Sequence, residues 1–252
     1  MSFVLVTGGT GEIACGVVPL LEHDFDLRLL ALDADSRDPR SVQADVLDWD
    51  ALTHALQGAH AVLHLAVATG HSGVYEDDTF NDQRFDVNVK GTYHVCEAAR
   101  RAGVSRLVHA SSLMVVWGHG ARERVAGDAP PRPVGTYALT KMLAEQVVRY
   151  YAETQGLAAI SLRIAAPLDV QDPAALRGRR VRPQQVPFPD LAQAFARALT
   201  VPLTGYQVVT IVSESSRSVW DLEPARRILG YEPTYRLDDL GVIWDEPFNV
   251  QP

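Results

Sequence analysis

Tyr137 and Lys141 stand four residues apart in YALTK, at the start of a stretch that reads as an amphipathic helix. Residues at i and i+4 share a helix face, so the ammonium can sit beside a phenol whose unperturbed pKa is about 10. A neighbouring cation favours phenolate. Lowering that pKa by roughly three units needs about 4 kcal/mol of differential stabilisation. With that help the phenol could act as a general base toward a substrate hydroxyl. A Tyr four residues before a Lys is also common on ordinary helix surfaces, so the meaning of the pair depends on what surrounds it.

A second constellation lies at the other end of the chain. LVTGGTGEIA follows a strand-like run and opens a helix, with its small residues at Gly8, Gly11 and Ala14. Such a turn lets a pyrophosphate approach backbone N–H groups at the positive end of the helix. Asp33 stands 22 residues beyond Gly11, at the end of the second strand, where an acidic side chain accepts hydrogen bonds from an adenosine ribose. Its carboxylate would repel a 2′-phosphate, which favours NAD over NADP. Arg37 and Arg40 follow closely and read as solvated loop charges rather than phosphate ligands. Asp45 and Val46 suit either an edge contact to adenine or the entry to a helix, and Asp48 reads as the N-cap of that helix.

The elements that must hold these residues alternate along the chain. Strands are expected at 3–8, 27–33, 41–46, 61–66, 106–112, 159–165 and 206–213, and helices at 12–23, 48–58, 80–102, 190–199 and 221–230, with YALTK opening another. Continuous apolar strands separated by helices imply a parallel sheet covered on both faces. The fold class is therefore α/β, a doubly wound parallel sheet of Rossmann type with a small C-terminal substrate-binding portion. Residues 1–166 would form the dinucleotide-binding core and 167–252 the smaller portion, interleaved with the last strand. Two Gly/Pro/Arg-rich stretches, 118–136 and 167–189, break the rhythm as long loops, and long loops in compact domains tend to be functional. DDLGVIWDEPFNVQP at the end reads as a tail.

Composition narrows the function. The formal charge is −8, from 23 Lys+Arg against 31 Asp+Glu, and the basic residues cluster only in RGRRVR at 177–182. Nucleic acid is not an expected partner, because binding it needs a clustered positive field. No apolar run approaches the roughly 20 residues of a membrane span, and a soluble cytoplasmic protein is expected. Cys15 and Cys96 are the two cysteines, both read as small buried apolar residues. The eight histidines show no metal-binding spacing, so no metal site is expected.

TGGTGEIA, an Asp after the second strand, HLAVA (64–68), NVKGT (88–92), ASS (110–112), YALTK and LRIAAP (162–167) occur in the order found in the extended short-chain dehydrogenase/reductases. The chain thus resembles this group, the NAD-dependent epimerase/dehydratase family, over nearly its whole length. The resemblance implies a catalytic Ser112, Tyr137 and Lys141, with Ser111 the lesser choice of serine. Ser112 precedes Tyr137 by 25 residues, the spacing of many members. Asn88 matches the helix Asn that fixes backbone and water near the Lys. The cofactor set it implies is Gly8, Gly11, Glu12, Ile13, Asp33, Asp45, Val46, Leu65, Ala66, Tyr137 and Lys141, around NAD. In that setting the positive nicotinamide ring adds to Lys141 in favouring phenolate, and Tyr137 would take a hydroxyl proton as hydride leaves the same carbon. One departure is SSLMVVWG, longer than the family's serine motif and with Trp117 in place of its Tyr.

Only about 100 residues follow Tyr137, too few for the large C-terminal lobe of members that handle nucleotide sugars. SESSRSVWDLEPARRILGYEP resembles the C-terminal run of the uronate dehydrogenases, short members that oxidise a sugar acid. In those an Asn-His follows the catalytic Ser and a late-loop Arg meets the carboxylate; here Leu113 and Met114 occupy the first positions. Arg177, Arg179, Arg180 and Arg182 are candidates for an anion, or solvated loop charges. The expected function is an NAD-dependent oxidoreductase acting on a secondary alcohol of a sugar, sugar acid or similar small molecule. An NAD-retaining epimerase or dehydratase is the alternative, and a non-catalytic dinucleotide sensor the second. Relatives often dimerise through the helices that here would be 80–102 and 137–155, so a homodimer is the assembly implied.

Overall fold

β1 (Phe3–Thr7) is buried along its whole length and feeds two cores at once. Val4 and Val6 pack on one side of the sheet, Phe3 and Leu5 on the other. Alternate side chains of a strand point to opposite faces, and this is why the strands read as unbroken apolar runs. The same division recurs in β4 (Ala59–His64), β5 (Arg106–Ser112) and β6 (Ala158–Ile164). With β2 (Leu27–Ala31), β3 (Ser41–Gln43) and the last strand, Tyr206–Ile211, they form one seven-stranded sheet. Its order is β3-β2-β1-β4-β5-β6 and then the last strand, and every pairing is parallel. The expected doubly wound parallel sheet is therefore the fold of the chain, in a computed structural model that describes residues 3–69, 76–120 and 124–245.

Helix α1 (Glu12–Leu21) and the helix Phe188–Thr200 cover one face; α2 (Trp49–Ala55), α4 (Thr92–Arg101) and α5 (Thr136–Thr154) cover the other. Asp48 caps α2, accepting from the backbone N–H groups of Asp50 and Ala51, as its position suggested. The single helix expected over 80–102 is instead α3 (Asp78–Arg84), a π-helical segment Phe85–Gly91, and α4. An extra residue in the turn has no apolar signature, and π segments of this kind are frequent at functional sites.

The stretches expected as a loop at 167–189 and a tail at 238–252 carry regular structure. Pro167–Leu168 pairs with Val186–Pro187, and Arg180–Val181 pairs with Ile243–Trp244. Leu168, Val170, Leu176, Val181 and Leu237 form a third, small core here, which the sequence conceals because its members lie far apart along the chain. Residues 246–252 of the expected tail and 121–123 of the first loop lie outside the described residues. Cys96 is buried but Cys15 is exposed: the buried face of α1 is Ala14, Val17, Val18 and Leu21, and Cys15 lies off that stripe.

Candidate functional site

In an open parallel sheet, ligands bind beyond the carboxyl ends of the strands where the winding reverses, which here is between β1 and β4. Gly8 follows β1 with φ +72°, and a Cβ there would stand 2.8 Å from the backbone N of Ala66 after β4. Only glycine lets the two loops pass so closely. Gly9 is equally confined, since its Cβ would meet Leu29 of β2 at 2.8 Å. Gly11 is the N-cap of α1 and donates its own N–H to the carbonyl of Gly8 at 3.0 Å.

Two cavities open at this point, and Gly8, Gly11 and Leu65 border both. The smaller, about 160 Å³, is lined by Asp33, Asp45, Val46, Ala66 and Val87. The larger, about 450 Å³, has Glu12, Ile13, Ser112, Met114, Tyr137 and Arg182 in its wall. A dinucleotide fits the residues present: a side-chain-free backbone turn at the positive end of a helix, flanked by an acidic side chain that can take ribose hydroxyls. Asp33 is exposed and already accepts the hydroxyl of Thr10 at 2.5 Å. Arg37 is clamped by Asp35 with two bonds of 2.9 Å, while Arg40 is held by Asp38 at 2.7 Å and by Glu22. Both arginines are thus engaged by neighbouring carboxylates. Asp45 holds the N–H of Leu47 at 2.9 Å.

Ser111 and Ser112 close β5 and both line the larger cavity, but they point to opposite sides of the strand and bond differently. The Ser111 hydroxyl donates to Glu145 Oε1 at 2.6 Å, and the same carboxylate takes Arg163 Nε at 2.9 Å and its terminal nitrogen at 2.8 Å, all buried. Ser112 Oγ accepts a 3.2 Å bond from the N–H of Met114, at the head of the 3₁₀ turn Leu113–His119. Ser112 and Tyr137, in the first turn of α5, share the wall of the larger cavity. Trp117 lines it too, stacked on Trp220 with centroids 5.8 Å apart. Of the four loop arginines Arg182 reaches this wall, whereas Arg180 pairs with Asp245 at 3.3 Å and Arg177 and Arg179 are exposed outside it.

Lys141 and Asn88 are both buried and line neither cavity, although Lys141 was expected to touch the cofactor. Asn88 donates to Thr140 at 3.0 Å and accepts from the N–H of Ala68 at 2.9 Å, tying the π-helical segment to α5 and to the loop after β4. Burial brings the Lys141 ammonium down to about 8, against a smaller opposing pull from Glu145. Around it runs a polar network absent from the sequence reading. Thr7 meets His64 Nδ1 at 2.7 Å, His64 Nε2 meets Thr92 at 3.0 Å, and His109 Nδ1 meets Ser161 at 3.0 Å. His64 and His109 are register partners on β4 and β5, with rings stacked at 5.7 Å. The sheet face toward α4 and α5, apolar at the start of its strands, thus turns polar at their carboxyl ends. Thr7 and His64 end β1 and β4, while His109 and Ser161 interrupt the apolar runs of β5 and β6, and these polar residues were the available signal.

Among the described residues no cluster of three or more His, Cys, Asp or Glu could hold a metal ion, and no helix is long and apolar enough to cross a membrane. The profile of the NAD dependent epimerase/dehydratase family matches residues 4–168. A uronate dehydrogenase of Pseudomonas syringae pv. tomato is 31% identical over 228 residues, covering 90% of this chain and 78% of that protein. The L-arabinose 1-dehydrogenase (NAD(P)(+)) of Haloferax volcanii is 31% identical over 252 residues, covering 92% of this chain and 96% of that one. Among solved structures, a mutant uronate dehydrogenase from Agrobacterium tumefaciens complexed with NAD superposes with a TM-score of 0.79 at 24% identity, covering 94% of this chain and 87% of that one.

Proposed function

The chain belongs to the NAD-dependent epimerase/dehydratase family, and on that footing we propose that it is an NAD-dependent dehydrogenase oxidising a secondary alcohol of a sugar or sugar acid. The observation that carries this reading is the shared wall of the 450 Å³ cavity, where Ser112 and Tyr137 stand with Arg182 at the end of the glycine turn. A cavity of that size admits a monosaccharide beside a nicotinamide. The named activities of the two relatives, on a uronate and on L-arabinose, support the same substrate class.

In this reading the backbone from Gly8 to Ile13 holds the pyrophosphate and Asp33 exchanges its Thr10 partner for ribose hydroxyls. Asp45, Val46, Leu65 and Ala66 border the adenosine half. The bound nicotinamide supplies the hydride acceptor. Tyr137 removes the hydroxyl proton, Ser112 holds the reacting oxygen, and Lys141 favours the phenolate from below. Asn88 fixes the floor through Thr140 and Ala68. Arg182 faces the substrate and suits a carboxylate. Residues from 167 onward act as the substrate-binding portion, stiffened by their own small core. A homodimer forms through the α3–α5 side, where Phe85, Tyr93, Leu139 and Tyr150 are exposed. The compartment is the cytoplasm, in keeping with two free cysteines.

The test is to incubate the purified protein with NAD and D-glucuronate, D-galacturonate, L-arabinose or D-glucose while following NADH absorbance. NADH formation with one of them is the expected result. Sugar product without net NADH would replace this reading with the epimerase.

A further inference from the structure

Arg84 closes α3 with its side chain only 1% exposed. Its Nη1 donates to Asn81 at 2.7 Å and lies 3.7 Å from Glu76 Oε2. The guanidinium carbon is 4.3 Å from the centroid of the Phe80 ring and 6.0 Å from that of Tyr137. A buried permanent cation thus stands over the ring assigned the proton transfer. We propose that Arg84 is a positioning residue for that transfer, a second cation beside Lys141 that favours the phenolate of Tyr137.

The proposal rests on Tyr137 being the general base. A cation within about 6 Å of an aromatic face is attracted by the ring's π electrons, and ionising the phenol makes that face more negative. Lys141 alone is a compromised source of charge, because burial already brings it down to about 8. A guanidinium keeps its proton across the whole range in which an enzyme works. Among the described residues, Glu76, Glu145, His109, Glu12 and Arg182 do not cancel the effect. Glu76 accepts the N–H of Thr136 at 3.1 Å, but its side chain is 43% exposed and therefore screened more strongly than Arg84. Glu145 lies beyond Lys141, neutralised by Arg163, and His109 is held neutral by burial. Glu12 and Arg182 in the cavity wall oppose each other in sign.

The titration needs neither cofactor nor substrate: tyrosinate absorbance of the cofactor-free protein is followed with alkali, and the curve of Tyr137→Phe is subtracted to isolate Tyr137. Arg84→Met is expected to raise the midpoint by about one pH unit, and Arg84→Lys to restore most of the shift. An unmoved midpoint in folded Arg84→Met overturns the proposal. Should Arg84→Met fail to fold, Arg84→Gln decides: it keeps a donor for Asn81 without the charge and is expected to raise the midpoint likewise, and an unmoved midpoint overturns the proposal. Turnover of Tyr137→Phe is measured alongside. An active Tyr137→Phe refutes the general-base assignment itself, whereas an inactive one with an unmoved Arg84→Met midpoint refutes only the role of Arg84.

Discussion

Lys141 Nζ lies 3.5 Å from Nε2 of His109, with both side chains buried. An ammonium can only donate, so Nε2 must present its lone pair and Nδ1 must carry the hydrogen, which it directs at Ser161. The contact thereby fixes the tautomer of His109 and keeps the ring neutral. Burial, then Lys141, then His64 all push the His109 imidazolium well below its ordinary range, and burial with Lys141 brings His64 to about 3.

Two histidines that stay neutral in the fold imply a definite acid sensitivity. In the unfolded chain each takes up a proton near pH 6.5, so below that pH the unfolded state binds more protons and stability falls as pH falls. The window runs from about 6.5 downward, with each His costing about 1.4 kcal/mol per pH unit once well below 6.5. Urea unfolding at pH 7.5 and pH 5 should differ by about 4 kcal/mol from this pair, and His109→Gln should remove about half of the difference. Glu97, held near 2 chiefly by Arg100, keeps its charge throughout this window. An unchanged pH slope in His109→Gln would refute the account.

Tyr137→Phe should lower kcat by about 10³-fold while leaving the Kd for NAD within about twofold, because the hydroxyl acts on the transition state. Steady-state kinetics with calorimetric NAD titration checks both halves. A variant keeping a tenth or more of its activity contradicts the assignment.

The two adjacent serines should separate cleanly. Ser112→Ala is expected to reduce kcat by about 10- to 100-fold with little change in Tm. Ser111→Ala removes a bond to a buried carboxylate and should cost about 1.5–3 kcal/mol of stability. Thermal melts and kinetics on both variants would expose a reversed pattern.

Asp33→Ser removes the acidic ribose acceptor and the repulsion of a 2′-phosphate. NAD should bind about tenfold more weakly and NADP more tightly than to the parent, as read by calorimetry. Equal discrimination in parent and variant would release Asp33 from its role.

The parallel sheet was legible because burial on both faces leaves an apolar run with no alternation, as in FVLVT. The glycine turn, Asp33 and the Tyr–Lys pair were legible because their chemistry is local in sequence. His64 and His109 were not, since only the β4–β5 register makes them neighbours. Arg84 escaped for a similar reason: nothing in NDQRF says that its guanidinium folds back over a ring more than fifty residues later in the chain. The small C-terminal core escaped because its members, such as Leu168 in a two-residue strand and Leu237 in a 3₁₀ turn, sit in elements too short to show a periodic pattern.

The π-helical segment Phe85–Gly91 sets Asn88 against Thr140 and Ala68 while α4 beyond it buries Val95, Cys96, Ala98 and Ala99. A π turn holds a residue that regular winding would not need, and one residue turns a helix by about 100°. Arg84 and the apolar stripe of α4 are therefore in phase with their neighbours only through that surplus residue. A single-codon deletion in this segment at a position other than Asn88 would keep every assigned side chain and still swing the two halves of the helix out of alignment. Length, as much as composition, is under constraint in this part of the chain, and an insertion or deletion here should be tolerated far less readily than a substitution at most of its exposed positions.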